Sequence, residues 1–129
     1  MNHQRIATEG APAALGPYSQ AIVAGDYVFC SGQLGLEPPA GELADGIAAQ
    51  ADRALRNLGA VLEAAGCSYA DVVKTTVFLA DIADFSALNA VYAGFFGETP
   101  PARSTFAVGA LPKGGRVEIE AIAYHPQGG

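Results

Sequence analysis

Cysteine and histidine are scarce in this chain. Its 129 residues include two cysteines, Cys30 and Cys67, and two histidines, His3 and His125, both near the ends. That excludes a disulfide-stapled scaffold, and the spacing matches no metal-ligand pattern. Residues 1–10 contain no apolar leader, so the two cysteines read as reduced thiols of a cytoplasmic protein. Cys30 lies in an apolar stretch, where cysteine behaves as a small buried hydrophobe. Positive charge is also short. Seven Lys and Arg against thirteen Asp and Glu leave a net charge of −6. Nucleic acid gripped through its phosphates needs a basic face, so this balance weighs against such a partner. No apolar run approaches the ~20 residues of a membrane span. No low-complexity tract or internal repeat appears, and the length fits one domain over 1–129 that buries roughly two thirds of its unfolded surface.

What is present is a pattern of short apolar strands and two amphipathic helices. Residues 5–8 read as a short strand. A loop punctuated by Pro12, Gly16 and Pro17 follows, then extended runs at 19–24 and 27–31. Gly25-Asp26 between those runs is a two-residue hairpin signal, and Gly32 ends the second. Over 45–65, Ile47, Ala51, Leu55, Leu58, Leu62 and Ala65 recur at helical spacing. Asp45 is placed to cap that helix, and Gly66 fits the left-handed position past its end. Residues 72–79 form a β-rich run. Asp81 and Asp84 introduce a second helix to about Phe96, with Phe85, Leu88, Tyr92, Phe95 and Phe96 on one face. Strands at 102–108 and 116–124 complete an α+β order of β-β-β-α-β-α-β-β. Two helices cannot cover both faces of so wide a sheet. They are expected on one face, leaving the other for self-association.

Only 16% of the residues are charged, so an arginine and a glutamate inside apolar strands need an explanation. Arg103 opens one strand. Its planar fork of donors suits a carboxylate, and an ion pair with Glu118 or Glu120 is the structural alternative. Strand alternation turns Glu118 and Glu120 to one side, away from Val117, Ile119 and Ala121. A solvated pair or a water-handling glutamate are both open from pattern alone. Gly-Pro-Tyr-Ser at 16–19 is a rigid turn that delivers Tyr18, either to a cleft or to simple packing. Ser-Gly-Gln at 31–33 ends a strand where glycine allows close backbone approach, or is only a turn. No phosphate-binding loop or serine-histidine triad is present.

Six segments occur in order: Ala-Leu-Gly-Pro-Tyr-Ser-Gln at 14–20, Cys-Ser-Gly-Gln-Leu at 30–34, Val-Lys-Thr-Thr-Val-Phe-Leu at 73–79, Asn-Ala-Val-Tyr at 89–92, Pro-Ala-Arg-Ser at 101–104, and Leu-Pro-Lys at 111–113 running on to Glu-Ile-Glu-Ala at 118–121. Together they resemble the reactive-intermediate deaminase (Rid, or YjgF/L-PSP-type) family nearly end to end. The resemblance implies a chorismate-mutase-like α+β fold, a mixed six-stranded sheet with two helices on one face, assembled as a homotrimer with sites between subunits. It implies hydrolysis of 2-imino acids and their enamine tautomers, released by pyridoxal-phosphate-dependent dehydratases, to 2-keto acids and ammonia, without cofactor or metal. Arg103 would hold the substrate carboxylate and Glu118 would handle the attacking water and a proton. Tyr18 and Asn89 would line the cleft, and Ser31 and Gly32 would stand near the imine. Many family members carry cysteine two residues after the arginine. Here it is Thr105, so thiol chemistry is absent and Thr105 is expected to contact substrate largely through its backbone.

Two other readings follow from the same features. An endoribonuclease or translation inhibitor would need RNA binding, against which the acidic balance weighs. A non-catalytic carboxylate-binding regulator would need Arg103 but not Glu118.

Overall fold

The computed structural model describes residues 3–39 and 41–126. Six strands and two helices follow the expected order: β1 (His3–Ile6), β2 (Ala21–Ala24), β3 (Tyr27–Leu34), α1 (Gly46–Ala64), β4 (Val72–Leu79), α2 (Phe85–Phe96), β5 (Ala102–Ala107) and β6 (Val117–Tyr124). They form one mixed sheet in the order β1-β2-β3-β6-β4-β5. All neighbours are antiparallel except β4 and β5, which α2 connects as a parallel pair.

Three local expectations need correction. The first strand lies two residues earlier than 5–8, because Ile6 is its last residue paired to β2 and the Thr8 N–H donates instead to the Gln20 side chain at 2.7 Å. Asp45 occupies the N-cap position of α1 but makes no side-chain cap, and Gly46 beside it is left-handed (φ +85°). That turn breaks the extended-to-helical step that aims a capping carboxylate at the free N–H groups. Gly32 does not end β3. The strand continues to Leu34 through a bulge, with Cys30 opposite Ala121 and Gln33 opposite Ile119, so β3 carries one extra residue.

Alternation sorts the two faces. Val28, Val77, Leu79, Val117, Ile119, Ala121 and Ala123 join Leu55, Leu58, Leu62, Leu88 and Phe96 in one core beneath both helices. The opposite face carries no helix. Phe29 and Phe106 there are each 46% exposed, and Tyr27 and Tyr124 stack at 5.3 Å between ring centroids.

Asn57 is the polar anchor of that core. It is fully buried on α1, and its Nδ2 donates to the carbonyls of Leu34 (3.1 Å) and Leu36 (2.8 Å). It thereby fixes the chain just after the β3 bulge. In Asn57→Leu both carbonyls lose their donor, and a stranded buried group costs about 1–3 kcal/mol. Urea unfolding should show a destabilisation in that range. A loss well below about 1 kcal/mol would mean the carbonyls find other donors.

Candidate active site

The β3 bulge and β6 build a first cleft, ≈ 590 Å³, lined by Tyr18, Gln20, Ser31, Gly32, Glu118 and Glu120, among others. Glu118 pairs with Leu34 and Phe78 on its neighbouring strands, so its side chain leaves the sheet on the helix-free face. The carboxyl lies directly over Gly32. A Cβ at position 32 would stand 2.8 Å from both the Glu118 carboxyl carbon and Oε2. Only glycine therefore lets the carboxyl rest in this position, since any Cβ would displace the Glu118 side chain. Gly32 lies in the bulge, between Cys30 and Gln33. Glu118 is half-buried. Burial raises its pKa above the ordinary carboxylate value, and the like charge of Glu120 raises it further.

The turn that delivers Tyr18 is locked by short polar contacts. The Leu15 N–H donates to Tyr18 Oη at 3.0 Å, which leaves the phenol proton available to a ligand. The buried Gln20 amide donates to the carbonyls of Thr8 (3.2 Å) and Pro12 (2.8 Å). Ser31 Oγ donates to the Ser19 carbonyl at 2.6 Å, so its hydroxyl can accept from a ligand while its proton is committed.

Arg103 stands in a different place. It lies opposite Thr75 in the β4–β5 register, and Thr75 is buried against α2 through its hydrogen bond to Tyr92 (2.6 Å). Arg103 therefore leaves the sheet on the helix side. Its Nη2 donates to Asn89 Oδ1 at 2.8 Å, and its guanidinium carbon sits 4.7 Å from the Tyr92 ring centroid and 5.6 Å from that of Phe85. These groups border a second cleft, ≈ 340 Å³, that includes Asn89, Tyr92, Phe96, Pro101 and Arg103. No ion pair joins Arg103 to Glu118 or Glu120 among the described residues. Thr105 follows on the same side as Arg103, and its buried Oγ1 has no hydrogen-bond partner.

The candidate residues thus fall into two groups on opposite faces of the sheet. Tyr18, Ser31, Gly32 and Glu118 form one. Asn89 and Arg103 form the other, with Thr105 beside Arg103. The aromatic bed under Arg103 was not foreseen as part of a site. Phe85, Asn89 and Tyr92 sit at helical spacing on α2, a signal that reads from sequence only as an apolar stripe. Cys30 takes no part in either cleft, and burial, with a smaller contribution from Cys67, pushes its thiol up to about 12.

Comparison with known proteins is consistent across sequence and structure. The family model described as Endoribonuclease L-PSP matches residues 8–125. A goat (Capra hircus) protein named 2-iminobutanoate/2-iminopropanoate deaminase is 56% identical over 92% of this chain and 87% of its own length. The crystal structure of RidA from an Antarctic Psychrobacter superposes with a TM-score of 0.91 at 51% identity, covering 94% of this chain and 98% of that one. Escherichia coli TdcF, solved with bound serine, gives a TM-score of 0.91 at 44% identity, covering 95% and 98%.

The Glu118 environment is testable by carbon NMR of its side-chain carboxyl across a pH titration. Glu120→Gln removes the neighbouring negative charge and should lower the Glu118 midpoint; an unmoved midpoint would exclude Glu120 as its electrostatic neighbour. Gly32→Ala should leave the chain folded but swing the carboxylate toward solvent, again lowering the midpoint. Were the added methyl group accommodated with the titration unchanged, the close packing of Glu118 on Gly32 would be refuted.

Proposed function

The chain belongs to the Endoribonuclease L-PSP family, and from that premise we propose that it hydrolyses 2-imino acids of the 2-iminobutanoate and 2-iminopropanoate type, with their enamine tautomers, to 2-keto acids and ammonia. The observation that carries this reading is the half-buried Glu118 carboxyl packed on the bare Cα of Gly32. It is a carboxylate whose proton affinity is raised, in a cleft with hydroxyl groups, as general acid–base work at a neutral imine requires. The goat relative is named for this activity.

In the proposed mechanism Arg103 takes the substrate carboxylate on the guanidinium edge that Asn89 leaves open, held flat by the Tyr92 and Phe85 rings. Thr105, on the same side of the sheet as Arg103, would contact the substrate largely through its backbone. Glu118 accepts a proton as water adds to the imine carbon and passes it to the imine nitrogen, giving a carbinolamine. It then takes the carbinol hydroxyl proton as the C=O bond forms and the C–N bond breaks, and passes that proton to the nitrogen, which leaves as ammonia. An enamine is first protonated at carbon by the acid form of Glu118. The Tyr18 phenol O–H is free to donate a hydrogen bond within the cleft. No step consumes an oxidant or a second substrate besides water.

This chemistry needs both groups at one substrate, and one chain holds them on opposite faces. The reading therefore includes a homotrimer in which the Glu118 cleft of one subunit meets the Arg103 cleft of the next. The uncovered apolar face, with Phe29, Tyr27, Tyr124 and Phe106, is the natural surface for that assembly. Enamines and imines of this kind are released by pyridoxal-phosphate-dependent eliminations of amino acids, which would supply the substrate. The reading places this work in the cytoplasm, where thiols such as the unpaired Cys30 and Cys67 stay reduced. No described helix is long and apolar enough to cross a membrane. The net charge of −6 weighs against the ribonuclease activity in the family's description.

The test is a coupled assay in which an amino-acid oxidase generates 2-iminopropanoate and semicarbazide traps it. Wild type should suppress semicarbazone formation. Arg103→Ala should cut kcat/KM by about 10- to 150-fold, the worth of a charged hydrogen-bonded contact. Glu118→Ala should cut it by about 10²- to 10⁴-fold. Subunits of the two variants, unfolded together and reassembled in equal amounts, should regain about one quarter of wild-type activity, since each interface needs Arg103 from one parent and Glu118 from the other. An inactive wild type would refute the hydrolase reading. Active wild type with no recovery in the mixture would refute the shared site alone.

A further inference from the structure

We propose that Cys67, Asp71 and His125 form a site for a zinc-class divalent cation, apart from both clefts. One ligand atom from each residue, the Cys67 sulfur, an Asp71 carboxylate oxygen and a His125 ring nitrogen, lies within 4.8 Å of the other two. Thiolate, imidazole and carboxylate are the donors that zinc accepts, and three protein ligands leave a fourth position for water. In a tetrahedral shell with ordinary zinc bond lengths the ligand atoms stand about 3.6 Å apart. Closure requires shifts of about 1 Å, which side-chain rotation of the half-buried Asp71 and His125 can supply.

The surroundings favour a cation independently of that donor set. Cys67 follows the end of α1, where its N–H donates to the Leu62 carbonyl at 2.8 Å and its backbone is fixed. The last turn of this 19-residue helix contains no basic residue. A cation at Cys67 therefore meets the negative end of a long helix dipole. Asp71 is already aimed, because the Ser68 N–H donates to its Oδ2 at 2.8 Å, as outer-shell donors orient metal-binding carboxylates. The three residues come from the end of α1, the turn entering β4 and the residue after β6. An ion would staple these elements together, with the Cys67 proton released to solvent as the thiolate binds.

The experiment uses untagged full-length protein, stripped with a chelator and titrated with Co²⁺ and then Zn²⁺. We expect one Co²⁺ per chain with thiolate-to-cobalt charge-transfer absorption in the near ultraviolet, displaced by Zn²⁺. Cys67→Ser should abolish the band and Cys30→Ser should retain it. His125→Gln should weaken Zn²⁺ binding by at least about 100-fold, since losing a direct ligand costs no less than the roughly 10- to 100-fold of outer-shell changes. Saturating Zn²⁺ should raise the Tm of wild type and not of Cys67→Ser. Absence of the band in folded wild type, its survival in Cys67→Ser, or undiminished Zn²⁺ affinity in His125→Gln would each overturn the site. If Cys67→Ser does not fold, the His125→Gln affinity decides alone.

Discussion

The period-two alternation of a sheet whose register is pinned by its core governs everything else in this molecule. Val77, Leu79, Val117 and Ile119 are fully buried under the helices. With those side chains committed, the sides of residues 75–79 of β4, and of the residues of β5 and β6, follow, the alternation breaking only at the register shift between Val72 and Lys74. Arg103 and Thr105, opposite Thr75 and Val77, must face α2. Glu118, between Val117 and Ile119, must face away. A one-residue slip that united them would turn the core face of a strand to solvent, which is why it does not occur. The two halves of the proposed site cannot meet within a chain, and assembly becomes a requirement of the chemistry.

Within that constraint the β3 bulge does the local work. It puts one extra residue between Cys30 and Gln33, and the Glu118 carboxyl lies on the Gly32 backbone there. The contact has two consequences. It sets the carboxyl against backbone, and it removes water from one side, which raises its proton affinity. Asn57 supports the same stretch from beneath by holding the Leu34 and Leu36 carbonyls. A buried amide on α1 thus secures the strand end on which the carboxylate rests.

Much of this was legible in the residues. Helical spacing located α1 and α2, Gly25-Asp26 marked the hairpin, and the alternation in Val-Glu-Ile-Glu-Ala-Ile-Ala separated Glu118 and Glu120 from the core. The bulge was not legible, because it is a mismatch of counts between two strands and neither strand records it alone. Nor was the face of Arg103, which depends on its register against Thr75 rather than on its own neighbours. The Asn89–Arg103–Tyr92 arrangement was hidden for a related reason. Phe85 and Tyr92 read as an apolar stripe until β5 is laid beside them, and only the family resemblance places Asn89 in the cleft. Cys67, Asp71 and His125 show the same limit. His125 is distant in sequence from the other two, and only the return of β6 alongside the start of β4 brings it near.

The separation of Arg103 from Glu118 also bears on how the carboxylate is tuned. In a single chain Glu118 experiences burial and the like charge of Glu120, and both favour its protonated form. Were Arg103 its intrachain partner, the ion pair would hold it ionised and its affinity for a proton would be spent before substrate arrived. In the proposed trimer Arg103 reaches the same cleft from another subunit, already engaged by Asn89 and two aromatic rings, with the substrate carboxylate to neutralise it. Substrate then screens the arginine from the glutamate. On this proposed reading the proton affinity raised by burial and by Glu120 is kept for the water and the departing nitrogen.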